Sequence, residues 1–487
     1  MIRFNQKALR DRIYACWVGK NIGGTMGTPF EGAQQLNDIQ GFSTPEGTVL
    51  PNDDLDLQLV WLRAVDEHGP EAIDSKLLGE YWCSYVGPCW NEYGVGKANL
   101  REGLLPPLSG AMNNEKWMNS NGAWIRTEIW ACLYPGNPVR AVRMAYEDAC
   151  VDHGIGEGTA AAMFVAAMES AAFVLRDLRA LIRIGLASIP ENCRVAQSVR
   201  LVCKAFDDGE DWKTARQLLV EDSADLGWFQ APANVAFVLL GMLYGGGDFK
   251  KSMILAINCG DDTDCTGATL GSLFGILYGM EGIPQDWRRH IGDKIETLSI
   301  IKGNGYFPRT CTELTDCVMS LIPAAARPSL PDLIDAPERT ILFGDEAEDF
   351  SAVTEESLCS RALADEVFSC SPFSFTAQNA YVSARIEFER EPYLSPEKPL
   401  TGKVTLTPVF FLEQRHYHLR WFVPDGVSVS CAANLYTNRP GSPRREHASA
   451  EFTFTTDRPI GASVRAVLEI TCDGRPTALY ASATVLG

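Results

Sequence analysis

No run of apolar residues in the 487-residue sequence reaches the roughly 20 that a membrane-crossing helix needs, so no transmembrane segment is expected. The opening MIRFNQKALRDRIYACW lacks an apolar core and a small-residue cleavage site, which excludes a signal peptide of the usual form. Basic residues are outnumbered, 43 Lys and Arg against 62 Asp and Glu, for a formal net charge of −19. That balance excludes the basic face on which sequence-independent nucleic-acid binding depends. No Cys/His spacing of a zinc site occurs. Cysteine itself is not scarce, but the fifteen residues show no paired spacing. They are expected as reduced, mostly buried thiols in a cytoplasmic protein. No repeat of fixed period is present. What is there is 46% hydrophobic and 22% charged, the balance of a soluble globular chain with a large core. The length predicts roughly two to four domains.

Two acidic stretches stand out. Residues 258–267, NCGDDTDCTG, carry Asp261, Asp262 and Asp264 and run into Gly267, Gly271, Gly275 and Gly279, spaced by four. Positions i and i+4 share a helix face. Each Gly costs about 1 kcal/mol relative to Ala in a helix, so the stripe costs roughly 4 unless close backbone packing offsets it. The spacing predicts a buried central helix with carboxylates at its N-terminus. The second stretch, Asn52-Asp53-Asp54-Leu55-Asp56, precedes an apolar pattern of helical period. Asn52 reads as an N-cap with Asp53 and Asp54 in the first turn. Capping and dipole compensation account for one such cluster. Two oxygen-rich clusters at two helix starts point to a hard cation, since Mg²⁺ and Ca²⁺ take carboxylate and amide oxygens.

In chain order, residues 7–20 read as an amphipathic helix ending at Gly19, followed by a Gly-rich turn from Gly23 to Gly32. Helices are expected over 72–86, 123–133, 138–151, 156–175, 176–187, 191–207, 212–221, 232–244, 248–257, 263–280 and 284–298. The stretch 87–122, rich in Gly, Pro and Asn, is a functional loop or hides short helices. Residues 1–325 thus form a helical domain. A Pro-rich linker is expected over 326–370. Period-two segments from YVSARIEFER to VRAVLEITCDG then give a β-sandwich of immunoglobulin-like type over 371–487. His416 and His418 share one strand face and read as part of an exposed polar surface. Most tryptophans read as core; Trp90 and Trp117, in the polar loop, are balanced between core and ligand stacking.

These motifs, in this order, resemble the ADP-ribosylglycohydrolase family over roughly residues 10–300. GGTMGTPFEG (23–32) is similar to its opening GDALGxPxEG turn, NDDL (52–55) to its TDDT, SNGAWIR (120–126) to its (S/G)NGxxMR loop and GDDTDCTG (260–267) to its GGDxD(S/T) motif. The resemblance implies an all-α, orthogonally packed domain holding Mg²⁺, two ions in all, with Mn²⁺ or Ca²⁺ as substitutes. It implies metal ligands Asn52, Asp53, Asp54, Asp262, Asp264 and Cys265. Glu31 and Asp262 would be the catalytic carboxylates. Ser120, Asn121, Gly122, Trp124 and His153 would contact substrate, a small-molecule or protein-linked ADP-ribosyl or glycosyl group. The sequence departs from the family at Gly24, for Asp; at Asn52 and Leu55, each for Thr; at Asp261, for Gly; and at Cys265, for Ser or Thr. Trp124 stands where a small residue is usual. Two alternatives to ADP-ribosyl hydrolysis stay open: another carbohydrate glycoside or furanoside as substrate, or a catalytically silent ADP-ribose- or sugar-binding relative.

Overall fold

The chain begins with β1 (Ile2–Asn5) and turns at once into α1 (Gln6–Gly27), where the Asn5 side chain accepts the Lys7 and Ala8 amides and caps the helix. The computed structural model describes residues 2–301, 303, 305–327, 341–359, 361–369, 371, 373–409, 415–437 and 447–487. After α1 come α2 (Asp53–His68), α3 (Ser75–Tyr85), α4 (Asn91–Arg101), α5 (Leu108–Ala111), α6 (Glu128–Leu133) and α7 (Pro138–His153). They are followed by α8 (Glu157–Ala172), α9 (Leu178–Ala187), α10 (Arg194–Asp207), α11 (Trp212–Asp222) and α12 (Ala231–Gly245). The helical part closes with α13 (Phe249–Asn258), α14 (Thr263–Gly282), α15 (Gln285–Ile291) and α16 (Cys311–Ala325). Helices α8, α12 and α14 are apolar around their whole circumference and buried along nearly their whole length. Around them the other helices place their apolar faces in one continuous core.

The expected break after Gly19 does not occur. Helix α1 continues through Gly23 and Gly24 to Gly27, because its glycines meet those of α14 backbone to backbone. A Cβ on Gly19 would lie 2.1 Å from the Gly271 carbonyl oxygen, and one on Gly23 would lie 2.0 Å from that of Gly267. Further along, Gly275 faces Ala15 and Gly27 faces Thr263, so the two helices run antiparallel with small residues in register. The helix-breaking tendency of glycine is offset by an approach that no larger residue permits. The loop over 87–122 contains α4 and α5, as the second of its two readings has it.

The described part of the expected linker is structured too. β2 (Ile341–Gly344) pairs in parallel with β1, Ile2 opposite Ile341. The short helices α17 (Glu355–Leu358) and α18 (Arg361–Ser369) lie on the helical domain: Arg183 Nε donates to Glu355 at 2.8 Å, and Arg361 donates to the Ile189 and Leu186 carbonyls. The remaining strands are β3 (Ser374–Gln378), β4 (Val382–Phe388), β5 (Leu400–Pro408), β6 (Arg415–Phe422), β7 (Val427–Cys431), β8 (Asn434–Thr437), β9 (Ala448–Thr456), β10 (Ser463–Cys472) and β11 (Leu479–Leu486). They form two antiparallel sheets, ordered β3-β4-β5-β9-β7 and β11-β10-β6-β8. Alternate residues of both sheets, such as Ile386, Val404 and Phe454 with Tyr417, Leu468 and Ala483, fill one apolar core. Leu104 and Leu108 of the helical domain belong to that core. Ser463 Oγ donates to the Glu102 carbonyl, while Thr484 Oγ1 donates to the Gly103 carbonyl and accepts the Leu105 amide. Among the described residues every cysteine is a free thiol, and no helix is long and apolar enough to cross a membrane.

Gly271→Ala is expected to destabilise the protein by about 3 kcal/mol, the overpacking cost when backbone has no room to yield. Gly461→Ala, whose Cβ meets nothing nearer than 3.9 Å, should stay within about 0.5 kcal/mol of wild type. Urea denaturation of both variants checks the pair.

Candidate functional site

The α1–α14 contact ends at the two acidic helix starts. One turn beyond Gly27, Glu31 follows a 3-10 turn over Thr28–Phe30 and faces the N-terminus of α14. There Gly32 N donates to the Asp261 carbonyl at 2.8 Å and Asp261 N donates to the Ala33 carbonyl at 2.9 Å. The first turn of α2 arrives from the other side, with Asn52 Oδ1 accepting the Asp54 amide at 2.7 Å. A small cleft of about 70 Å³ opens between them. Its floor is Asp53, Asp262, Asp264 and Cys265; Glu31, Trp90 and Phe229 stand at its sides, and Glu31 is open to solvent.

Two sets of three ligand atoms converge here, each set within 4.8 Å: Asp54, Asp264 and Cys265 form one, and Glu31, Asp262 and Asp264 the other. Asp264 belongs to both. Asp54 Oδ2, Asp262 Oδ1 and Asp264 Oδ1 are buried and accept no hydrogen bond from the protein. Burial raises all of these acids, and mutual repulsion adds to it. Asp54 and Asp262 lie well above the ordinary carboxylate range, Asp264 is pushed up to about 6, and Glu31, desolvated and then repelled by Asp264 and Asp53, to about 8. Carboxylates so placed need cations. The set fits one or two hard ions through Asp54, Asp262, Asp264, Glu31 and Asp53.

Several expected site residues offer the cleft no free ligand atom, or lie outside it. Asn52 spends its oxygen on the cap, and its amide nitrogen packs where a side chain on Gly24 would sit, 2.3 Å from that Cβ position. Cys265 is a thiol donor, Sγ to Asp54 Oδ1 at 3.4 Å, and burial holds its acidity far from the thiolate form that binds metals. Asp261 is withdrawn from the cluster: its backbone turns at φ +66°, and its carboxylate accepts the Phe229 amide and the Asn234 side chain. Trp124 and His153 do not line the cleft. Trp124 is fully buried and donates to Asn121 Oδ1 at 2.9 Å, which turns the Asn121 amide so that Nδ2 donates to Asp262 Oδ2 at 2.7 Å. His153 is fully buried between Ser120 Oγ, 3.1 Å, and Asp152, 2.9 Å. Both act from behind the loop over 120–122, whose Gly122 carbonyl Arg126 holds while pairing with Asp148 and Asp152.

Three cleft residues carried no signal. Tyr93 donates to Asp53 Oδ2 at 2.7 Å, Glu92 packs against Gly122 with its carboxyl raised to about 6 by burial, and Phe229 is held at φ +59°. Glu92 and Tyr93 begin α4, hidden in the Gly- and Pro-rich stretch; Phe229 sits between helices without periodicity. Of the two loop tryptophans, Trp90 lines the cleft and is 46% exposed, whereas Trp117 lies outside it under Lys116.

A helical domain that brings two acidic helix starts together beneath one cleft is the class that the fold and site define. The family model for ADP-ribosylglycohydrolase matches residues 5–312, and the chain belongs to that family of glycosyl hydrolases. Over 45 residues it is 40% identical to the ADP-ribosylarginine hydrolase Tri1 of Pseudomonas putida (strain GB-1), covering 9% of this chain and 12% of that protein. Over 48 residues it is 42% identical to the ADP-ribosyl-[dinitrogen reductase] glycohydrolase of Rhodospirillum rubrum, covering 10% of this chain and 16% of that protein. The matches thus span less than a fifth of either curated relative. A solved structure of an ADP-ribosylglycohydrolase-related protein complex aligns with a TM-score of 0.41 and 21% identity, covering 66% of this chain and 99% of that one.

The raised carboxylates make stability depend on pH. Unfolded, Glu31 and Asp264 lose their protons near about 4; folded and metal-free, they keep them to about 8 and about 6. The native state binds more protons in that interval, so this contribution is whole below about pH 4 and is lost as pH rises through 6 to 8. In chelator, Tm should fall from pH 5 to pH 8, and Mg²⁺ should restore it. Asp264→Asn should flatten the decline and remove the Mg²⁺ effect. Thermal melts that decline identically with and without Mg²⁺ would count against a cation site.

Proposed function

We propose that this chain is a Mg²⁺-dependent glycohydrolase that cleaves an ADP-ribosyl or related ribosyl glycosidic bond in the cleft between α2 and α14. The observation that carries this reading is the convergence of three unpartnered buried carboxylate oxygens beneath a solvent-open Glu31. Asp264, common to both ligand sets, supports two ions; the oxygen donors also suit Mn²⁺ or Ca²⁺. Bound cations would supply Lewis-acid polarisation and positive charge beside the sugar hydroxyls.

The chain's own residues do the rest. Glu31, at the mouth, holds or takes a proton near neutral pH and is the general acid–base group for the water and the leaving atom. Asn121, turned by Trp124, fixes the Asp262 carboxylate. Tyr93 steadies Asp53. Trp90 and Phe229 offer aromatic faces on which a sugar or a base can stack. We read the C-terminal sheets as an immunoglobulin-like accessory module that anchors residues 102–108. The free thiols support a cytoplasmic location.

A second reading, a smaller glycoside or furanoside as substrate, is favoured by the cleft volume of about 70 Å³. Sites for drug-sized ligands run from roughly 300 Å³ upward.

The test is to incubate the full chain with an ADP-ribosylated arginine compound and, separately, an aryl furanoside, each with Mg²⁺ and with chelator. Release of ADP-ribose that stops in chelator is expected. Asp264→Ala should lose Mg²⁺ binding and turnover together, and Glu31→Gln should lower kcat by about 10²–10⁴. Cleavage of the furanoside alone would establish the second reading. Binding of ADP-ribose without turnover would leave a silent relative, and no binding would overturn both hydrolase readings.

A further inference from the structure

The second domain carries a cluster that the cleft does not use. Strand period two puts His416 and His418 of β6 on one outward face, with ring centroids 4.3 Å apart. Antiparallel pairing sets Asn434 of β8 opposite His418 and Tyr436 opposite His416. Asp473 follows β10 on the other side of β6, its amide bonded to the His416 carbonyl. Tyr436 stacks on His416 at 4.3 Å and 2° and fixes the ring plane.

Each ring has both nitrogens engaged. His416 Nδ1 lies 2.8 Å from Asp473 Oδ2, and His418 Nε2 lies 2.8 Å from Asp473 Oδ1. The other two, His416 Nε2 at 3.2 Å and His418 Nδ1 at 2.8 Å, share Asn434 Oδ1. With the Asn434 oxygen turned to the rings, an acceptor only, those two nitrogens carry ring hydrogens. The remaining lone pairs, on His416 Nδ1 and His418 Nε2, then both point at a carboxylate that also only accepts. In that arrangement positive charge between the three groups satisfies all of them; with the Asn434 amide turned over, the rings would donate to Asp473 instead. Two protons would place two imidazolium rings 4.3 Å apart, like charges in near contact. A single divalent ion meets the same need without that repulsion.

We infer that His416, His418 and Asp473 bind a divalent transition-metal ion of the Zn²⁺ class, with Asn434 holding both imidazoles in the ligating tautomer. The ligand atoms of the three residues lie within 4.8 Å of one another. Ligands held at about 2.0–2.1 Å around a tetrahedral ion sit about 3.3 Å apart, so the 2.8 Å nitrogen–oxygen contacts need widen by only about 0.5 Å to admit one. A carbonyl accepting the second ring N–H is the usual outer partner of a metal-bound histidine. Imidazole selects Zn²⁺, Ni²⁺ or Cu²⁺ over Mg²⁺, so this site and the cleft take different ions. It is also open to solvent, with the Asp473 side chain 63% exposed, which leaves positions for water or an outside ligand.

The experiment is calorimetric titration of the full chain with Zn²⁺ in excess Mg²⁺, comparing wild type with His418→Gln, Asp473→Asn and Asn434→Ala. Wild type should bind one Zn²⁺ more than His418→Gln and Asp473→Asn, or bind it at least about 10-fold more tightly, and Asn434→Ala should weaken that event about 10-fold. In wild type, Zn²⁺ should also shield His416 and His418 from diethylpyrocarbonate, read by peptide mass spectrometry; this second measurement stands even if a variant fails to fold. Equal Zn²⁺ binding by wild type and folded variants, or modification of both histidines unchanged by Zn²⁺, would overturn the site.

Discussion

The backbone-to-backbone contact of α1 with α14 is the constraint from which the rest of the helical domain follows. Gly19, Gly23 and Gly27 step along one helix as Gly271, Gly267 and Thr263 step along the other. Continued by one more interval of four, the α1 stripe reaches Glu31, while the α14 stripe reaches the turn that holds Asp262. The register of the contact therefore decides which acids meet. A side chain larger than hydrogen at any central position would separate the helices and pull Glu31 from its partners. Packing and chemistry are set here by the same row of small residues.

Some of the buried charge elsewhere in the domain is paired within the protein. Arg126 lies between Asp148 and Asp152, and Lys20 pairs with Glu128 at 2.6 Å, all fully or almost fully buried. Short, charge-assisted hydrogen bonds offset part of the desolvation cost of each pair. Among the described residues no Lys or Arg is in salt-bridge contact with the cleft acids; Lys20 acts on Asp53 and Asp54, and Arg126 on Asp53, only from a distance. Several raised carboxylates gathered in one cleft are the pattern of a functional site.

Much of this was legible in the sequence, though unevenly. The i+4 glycine stripe announced a close backbone contact, and the two acidic helix starts announced a shared site. The partner helix was hidden, because local propensity reads Gly19 to Gly27 as a break and only tertiary packing reverses it. By charge alone three neighbouring aspartates were equivalent, and only the family motif set Asp261 apart; the left-handed turn there sends it to Phe229 and leaves Asp262 in the cleft. Gly24 and Asn52 read as separate departures from the family motifs, yet a side chain at 24 would strike the Asn52 amide. Trp124 looked like a ligand contact and is a lever that turns Asn121. Such couplings join residues far apart in the chain, and periodicity and spacing do not register them.

Leu104 and Leu108 lie in the apolar core of the second domain while the chain on either side of them belongs to the first. A cut after the helical residues would therefore not free an independent unit; it would strip the cover from two leucines and undo the Ser463 and Thr484 bonds to residues 102–105. Helix α4, 11 residues and about 16 Å long, has Glu92 and Tyr93 at the cleft, and residues 102–108, which follow its far end, are seated against the sheets. Loosening of the sheets would free the segment that follows it, about 16 Å from the residues that steady Asp53. Exchanging one domain alone would uncover Leu104 and Leu108 and leave the Glu102 and Gly103 carbonyls without their Ser463 and Thr484 donors.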